Sequence, residues 1–207
     1  MTAAVSPSLA AQLRARRTEM MVAEVEAVAL RLFEERGFDA VTVEDVATEA
    51  GISVRTFYRY FPTKEAVLQL KTDQRSQALR QALAARPTDE APLRSLRLAF
   101  EHVVSAEDME LRRRWISVIV ETPSVLNGVI GGIQLKTQRV LAEFLGARFE
   151  LPSDALLPTM LAAAAQGVVQ AAHTRWFVHG GNLSALISGG LRVLERGIGA
   201  GPADLED

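Results

Sequence analysis

One stretch of the chain, residues 42–64, constrains the fold more than any other, and it reads TVEDVATEAGISVRTFYRYFPTK. Thr42, with Asp45 three residues later, forms a capping-box pattern that predicts the start of a helix. Gly51 predicts a turn, because glycine adopts a left-handed backbone conformation without steric cost. Ser53 then predicts the N-cap of a second short helix. Two short helices joined by a glycine turn indicate a helix-turn-helix.

Apolar residues recur at three- and four-residue spacing along the rest of the chain, which predicts helices and not strands. The first helix is expected from about Thr18 to Glu35, ending at Gly37. A fourth helix is expected over about residues 64–83. Five more are expected at about 93–105, 111–121, 125–149, 154–179 and 183–198. The sequence therefore predicts an all-α protein of about nine helices, with a three-helix head and a larger helical body.

Composition and charge restrict the location and the chemistry of the protein. The 207 residues include no cysteine, which excludes disulfides and thiolate metal sites. No apolar run reaches the ~18 residues of a membrane span, and the N-terminal residues lack the pattern of a signal peptide. The net charge is −2, but the segment from Ser53 to Lys64 holds basic residues and no acid. We therefore expect a cytoplasmic protein without a membrane partner and with a local positive face.

The second short helix carries side chains suited to duplex DNA. In a helix-turn-helix the N-terminal residues of this helix reach base edges in the major groove, and here they are Ser53, Val54, Arg55 and Thr56. Arg55 can donate two hydrogen bonds to guanine, and Val54 and Thr56 can pack on a thymine methyl group. Phosphate oxygens suit Thr42, Tyr58, Tyr60 and Lys64. Phe57 and Phe61 lie on the opposite side and are expected in the core.

The motif, together with the preceding LFEERGFDA, resembles the DNA-binding head of the TetR family of bacterial repressors, over about residues 20–70. The resemblance implies a homodimer with a variable ligand-binding body. It assigns phosphate contacts to Thr42, Tyr58, Tyr60 and Lys64, and base-side positions to Val54, Arg55 and Arg59. Tyr60 stands where such proteins often have histidine, and tyrosine keeps a hydrogen-bond donor there.

Four segments follow from these patterns. Residues 1–17 are expected to form a flexible basic arm, residues 18–64 the DNA-binding domain, residues 65–199 the ligand-binding and dimerisation domain, and residues 200–207 a flexible tail. The arm carries Arg14, Arg16 and Arg17. These arginines could reach phosphates or an adjacent groove, or they could belong to an ordinary solvated tail.

The body is expected to bind a small-molecule effector in a mostly apolar pocket. The candidate lining residues are Phe100, Val104, Trp115, Ile119, Gln134, Gln138, Met160, Gln166, Gln170, His173 and Trp176. For the apolar members the alternative is a place in the ordinary core. The amides and the imidazole are more suggestive if buried, because a buried polar group needs a partner. The pattern predicts neither a metal nor a cofactor.

Small residues in segment 161–176 and a leucine stripe in the last helix predict a subunit interface. The stripe consists of Leu183, Leu186, Ile187, Leu191 and Leu194. Two such helices from each subunit would make a four-helix interface through the last two helices. The alternative is a bundle within one chain.

The body segments LRRRWISVIVETPSV and VLAEFLGARF are similar to an actinobacterial branch of the family, some members of which respond to fatty acyl-CoA thioesters. Arg112, Arg113 and Arg114 could then hold a phosphorylated head group, or they could form a solvated basic face. Glu121 could instead receive a cationic lipophilic compound.

These observations predict a ligand-responsive repressor that binds a palindromic operator as a homodimer and is released by a small apolar or amphipathic effector. The ligand could instead be a corepressor. The alternative class is a helical interaction protein with a vestigial DNA-binding head. An enzyme is not expected, because the three histidines are scattered and no HExxH, GxSxG or phosphate-loop pattern occurs.

Overall fold

The computed structural model describes residues 8–197, and within that range the chain forms nine α-helices and no strand. The helices are α1 (Leu9–Arg36), α2 (Val43–Glu49), α3 (Val54–Tyr60), α4 (Glu65–Ala84), α5 (Pro92–Ser105), α6 (Met109–Val120), α7 (Pro123–Phe149), α8 (Leu156–His179) and α9 (Leu183–Arg196). The predicted all-α class is confirmed. Most helix bounds agree with the sequence periodicity to within a few residues.

The chain divides into two compact units. The head unit comprises Met1–Leu68 and Arg114–Leu126, and the body unit comprises Gln69–Arg113 and Asn127–Asp207. The sequence predicts a boundary after residue 64 and places residues 114–126 in the body, and the two compact units divide the chain differently. Periodicity shows that a helix buries one face but does not show which core receives that face.

The head core contains two pairs of aromatic rings among buried valine, leucine and alanine side chains. Phe33 and Phe38 have ring centroids 4.9 Å apart, and Phe57 and Phe61 have centroids 5.2 Å apart. All four side chains are buried, as predicted for Phe57 and Phe61. Gly37 has a φ of +81°, which ends α1 and lets the chain turn before Phe38.

The second half of α6 belongs to the same unit. Trp115, Val118 and Ile119 are buried. Arg114 donates to both carboxylate oxygens of Glu34 on α1, at 2.8 and 2.7 Å. This segment therefore forms part of the head through apolar burial and a two-point ion pair.

The first helix begins nine residues before the predicted start at Thr18. Residues 9–17, expected to be part of a flexible arm, are helical. The physical reason is local, because residues 8–36 contain neither glycine nor proline and are rich in strong helix formers. Residues 1–7 of the expected arm and the expected tail at 200–207 lie outside the described residues.

The body core is formed mainly by leucine, valine and alanine side chains from several helices, and α9 packs against both α5 and α8. Leu183, Ile187 and Leu191 are almost completely buried within the single chain. These three members of the α9 stripe are therefore core residues of the body, which is the alternative that the pattern had left open. Gly190 permits close approach of α8, since a Cβ there would collide with the side chain of Val168.

Two further features concern the described residues as a whole. Across positions 8–197, no single helix combines the length and the apolar character needed to span a membrane, and only the bent pair of α6 and α7 meets those criteria together. The same residues contain no group of three or more histidine, aspartate or glutamate side chains that could hold a metal ion.

Candidate nucleic-acid interface

The helix-turn-helix begins with the predicted capping box. The Thr42 hydroxyl accepts from the Asp45 amide at 3.1 Å, and the Asp45 carboxylate accepts from the Thr42 amide at 2.8 Å and from its hydroxyl at 2.6 Å. The hydrogen bonds from Thr42 hold the pKa of Asp45 below its ordinary value. Because the hydroxyl proton is directed to Asp45, a phosphate contact through this hydroxyl would require it to leave that carboxylate.

The turn and the second cap also follow the sequence pattern. Gly51 has a φ of +65°, the left-handed conformation expected of the turn. Ser53 is the N-cap of α3, and its hydroxyl accepts from the Thr56 amide at 3.1 Å. The Ser53 and Thr56 hydroxyls also share a hydrogen bond of 2.8 Å. These contacts set the start and the orientation of α3.

The outward face of α3 carries two arginines. Phe57 is fully buried, and helical spacing places Arg55 and Arg59 on the opposite side, one turn apart. Both are exposed. Arg55 has no hydrogen bond or ion pair among residues 8–197, and Arg59 contacts only the Tyr60 ring, 4.7 Å from its centroid.

The flanking residues of α3 vary in exposure. Tyr58 is half exposed, with its ring edge-on to Phe57. Val54, Thr56 and Tyr60 are partly exposed, and Ser53 is exposed. Every predicted base-side position is therefore at least partly open to solvent, and the predicted contacts remain predictions.

Lys64 has a structural role that the sequence did not reveal. Its ammonium group donates to the carbonyl oxygens of Phe38 at 2.7 Å and Val41 at 2.8 Å, and it lies 4.2 Å from the centroid of the Phe38 ring. Lysine has three donor protons, so one is left for the predicted phosphate contact. Lys64 therefore ties the start of α4 to the loop before α2.

Three acids of the head, Glu34, Glu35 and Glu49, are paired with arginines of the same unit. Glu49 at the end of α2 accepts from Arg31 at 2.6 Å, and Glu34 is paired with Arg114. The Arg114 guanidinium lowers the pKa of Glu34 from its ordinary value. The cations of α3 have no such partners, so its outward face is a local positive surface on a chain with net charge −2.

The predicted effector-binding residues fall in both compact units. Trp115 and Ile119 belong to the head unit, whereas the others lie in the body unit. In the body, Phe100 and Val104 are buried on α5, Gln134 and Gln138 are partly buried on α7, and Gln166 is buried on α8 with an Oε1 that has no partner. Gln170 and Met160 are exposed on α8.

The body unit contains a cavity of about 680 Å³ where α5, α8 and α9 meet. Of the predicted residues, only Val104 and Trp176 line it. Sequence reasoning missed the polar part of the wall, which includes Glu101, Glu107, Asn182, Ser188 and Arg192. The available signal was the Gly180-Gly181-Asn182 turn, which brings the start of α9 next to the end of α8.

The arginine triplet is part of the fold. Arg112 is buried and pairs with Glu107, which also accepts from Arg75 Nε at 3.0 Å on each oxygen. Arg113 donates to the carbonyl oxygens of Phe177 at 2.9 Å and Trp176 at 3.1 Å. With Arg114 paired to Glu34, the triplet is neither a solvated face nor an open phosphate site.

His173 completes the Arg112 cluster. Its Nδ1 hydrogen-bonds to the Val169 carbonyl at 2.7 Å, so Nδ1 carries the proton and Nε2 accepts from Arg112. Burial, followed by the nearby Arg112, lowers the pKa of His173 to about 3. Burial, followed by Arg75, lowers the pKa of Arg112 to about 10. At neutral pH the cluster therefore holds a neutral imidazole and two charged guanidinium groups around one carboxylate.

Two capped helices around a glycine turn, with an open cationic face, define a transcriptional regulator of the helix-turn-helix class. The chain belongs to the TetR family: residues 27–70 match the model of the bacterial regulatory proteins of that family, and residues 86–199 match the model of the MftR C-terminal domain. Members of this family are regulators and not enzymes.

A curated relative and two solved structures illustrate the similarity. The chain is 29% identical over 164 residues to the mycofactocin biosynthesis transcriptional regulator MftR of Mycobacterium tuberculosis, covering 78% of this chain and 82% of that protein. The structure of Thermus thermophilus FadR in complex with lauroyl-CoA matches with a TM-score of 0.57 and 22% identity, over 86% of this chain and 94% of the other. The SmeT–triclosan complex, from Stenotrophomonas maltophilia, matches with a TM-score of 0.62 and 16% identity, over 84% and 91%.

Proposed function

We propose that the protein is a cytoplasmic, ligand-responsive repressor that binds a palindromic operator as a homodimer and is released by a small apolar or amphipathic effector. The observation that carries the DNA-binding part is the outward face of α3, where Arg55 is exposed and unpaired among the described residues. An exposed arginine at the start of a recognition helix can make a two-point contact with guanine.

Dimerisation is supported by an exposed face of α8. Leu156 is 81% exposed, Met160 53% and Val178 65%. Ala163, Ala164, Gly167 and Ala171 are exposed between them at helical spacing. A stripe of apolar and small side chains along the helix suits close packing against a second subunit. Since much of the α9 stripe is buried within the chain, we propose α8 as the main interface, with the partly exposed Leu186 and Val193 of α9 at its side.

An effector site is supported by the body cavity. A volume of about 680 Å³ is in the range that holds a small organic ligand. Lauroyl-CoA and triclosan are bound by FadR and SmeT, which have this fold. We propose that an effector in the body favours a conformation with lower DNA affinity, so that it shifts the population away from the operator-bound state. The α4 helix belongs to both units and is the proposed lever.

The DNA-binding part is tested by selecting bound fragments from genomic DNA and titrating the best site at two salt concentrations. We expect a palindromic site bound by two subunits, with affinity that falls steeply as salt rises. Arg55→Ala should weaken this site by about 1–3 kcal/mol and relax one base position. The matched control is Arg139→Ala, because Arg139 is an exposed arginine of the body without a partner among residues 8–197. Failure to recover any preferred site would favour the vestigial-head alternative.

The effector part is tested with a Trp115→Phe variant, which leaves Trp176 at the cavity wall as the single tryptophan. Lauroyl-CoA and triclosan serve as first probes. We expect a probe that changes Trp176 fluorescence also to lower operator affinity. A probe that changes fluorescence and raises operator affinity would identify a corepressor. A probe that lowers operator affinity without changing Trp176 fluorescence would place the effector site away from this cavity.

A further inference from the structure

The N-terminal part of α1 is an exposed, basic helical extension of the head. Residues 9–17 are helical, and every residue from Ser8 to Arg17 whose side chain is described is exposed. The extension carries Arg14, Arg16 and Arg17, and no acid occurs before Glu19. Its charge is therefore positive along its whole length, although the head unit as a whole is rich in acids.

The three arginines have no hydrogen-bonding or ionic partner among residues 8–197. The buried face of α1 begins at Val25. With a rise of about 1.5 Å per residue, Arg14 lies roughly 16 Å along the helix axis from Val25. The extension thus projects beyond the packed part of α1.

Continuity with α1 gives the extension a defined geometry. A separate segment of this length would be a marginal helix in water, but here the helix is already nucleated by the packed residues that follow. Helical spacing puts Arg14 and Arg17 side by side and Arg16 on another side. The guanidinium groups are therefore spread around the helix and held at a fixed distance from the helix-turn-helix.

We propose that residues 9–17 form a second DNA-contacting surface, on which Arg14, Arg16 and Arg17 bind phosphates next to the sequence read by α3. This inference rests on the proposed DNA-binding function. Its basis is charge complementarity, because duplex DNA presents one negative charge per about 1.7 Å and binding of cations releases condensed counterions. The extension belongs to the same unit as Arg55 and Arg59, so contacts by α3 raise its effective concentration near flanking phosphates.

An anionic membrane surface is the other macromolecule that attracts a basic helix. Helices that lie on membranes present a wide apolar face with aromatic or leucine side chains. The extension has only Leu9 and Leu13 as large apolar residues, and Arg16 falls beside them at helical spacing. The distribution of charge therefore favours DNA.

The test uses the full chain and two duplexes of equal length: the fragment recovered by genomic selection and a scrambled version. In the Arg14→Ala/Arg16→Ala/Arg17→Ala variant we expect binding to both duplexes to weaken about 10- to 100-fold at low salt. If two heads each lose three phosphate contacts, the slope of log affinity against log salt should fall by about 5. Hydroxyl-radical footprints should lose protection at their outer ends.

Two controls separate charge from folding. Alanine is the strongest helix former, so the variant should keep α1 helical, which circular dichroism checks. The triple Arg→Lys variant retains the charges and should keep the salt slope. Arg139→Ala in the body should leave the slope unchanged.

The outcomes distinguish this inference from the function on which it rests. If the wild-type protein binds neither duplex, both fail. If it binds the selected fragment and the triple alanine variant has the same slope and footprint, the regulator remains and the second surface is overturned. Binding of the full wild-type chain to phosphatidylglycerol vesicles that the triple alanine variant loses, with unchanged DNA binding by that variant, would also overturn the inference and assign the arginines to a membrane.

Discussion

Arginines in the body unit and in the head unit have different surroundings. Apart from Arg139 and Arg175, each arginine of the body within residues 8–197 has a hydrogen-bonding, ionic or other electrostatic partner. In the head, Arg31 and Arg114 are paired. The remaining described head arginines are without a carboxylate partner within 4 Å, and they include Arg14, Arg16, Arg17, Arg55 and Arg59.

This difference separates two uses of the same side chain. In the body, guanidinium groups join helices: Arg75 and Arg112 converge on Glu107, and Arg148 donates to the carbonyl oxygens of Thr88 and Arg86. In the head, the guanidinium groups without a carboxylate partner are available to an external anion such as a DNA phosphate. Removing a paired body arginine should therefore lower stability, whereas removing a head arginine without a carboxylate partner should lower DNA affinity and leave stability unchanged.

The largest expected effect is that of Arg112→Ala. This change removes one partner from a buried cluster and should lower the free energy of unfolding by about 3 kcal/mol. Denaturant unfolding of the full chain, followed by circular dichroism, measures the loss. Arg175→Ala, at an exposed and unpaired position, is the control and should change stability by less than about 0.5 kcal/mol. Equal effects of the two substitutions would contradict the structural role assigned to the buried Arg112 cluster.

A smaller loss of stability is expected for Lys64→Ala, because the ammonium group of this head cation already donates to two backbone carbonyl oxygens. The Phe38 and Val41 carbonyl oxygens would lose a charged donor, so stability should fall by about 2 kcal/mol. Lys64→Met keeps most of the alkyl chain and should show most of the same loss. A flatter salt slope for DNA binding, without any loss of stability, would instead place Lys64 with the phosphate contacts.

The smallest expected effect is the contribution of His173 to the pH dependence of stability. The pKa of this side chain is about 3 in the folded protein and about 6.5 when unfolded. The unfolded state therefore binds a proton between these values while the folded state does not, so stability falls as the pH is lowered from 7 to 6. His173→Gln should reduce that fall by about 0.7 kcal/mol. His102→Gln, at an exposed histidine of α5, should keep the wild-type fall.

Much of the fold could be predicted because it depends on local sequence. The capping box at Thr42, the Ser53 cap and the left-handed Gly51 involve neighbours within a few residues, and the structure confirms all three. The predicted position of Phe57 in the core follows from helical spacing and is also confirmed. These features depend on backbone conformation and amphipathic periodicity, which the order of residues determines directly.

The predicted effector site is less accessible to sequence reasoning, since it depends on contacts between distant segments. Trp115 and Ile119 resemble pocket residues in the sequence, but they pack in the head. The arginines at 112–114 read as one basic run, but a helix turns each by about 100°, so each has a different partner. Glu107 and Glu101 became visible as cavity residues only when α5, α8 and α9 were brought together.

The sequence by itself determined the all-α class, the helix-turn-helix and the family, because caps, glycine turns and helical periodicity are local properties. Only the tertiary structure decided which cations are free, that Lys64 is tied to two carbonyl oxygens, that residues 114–126 belong to the head, and that most of the α9 stripe is buried within the chain. The physical reason is that pairing and burial depend on distances between segments far apart in the chain, and these distances are set by packing.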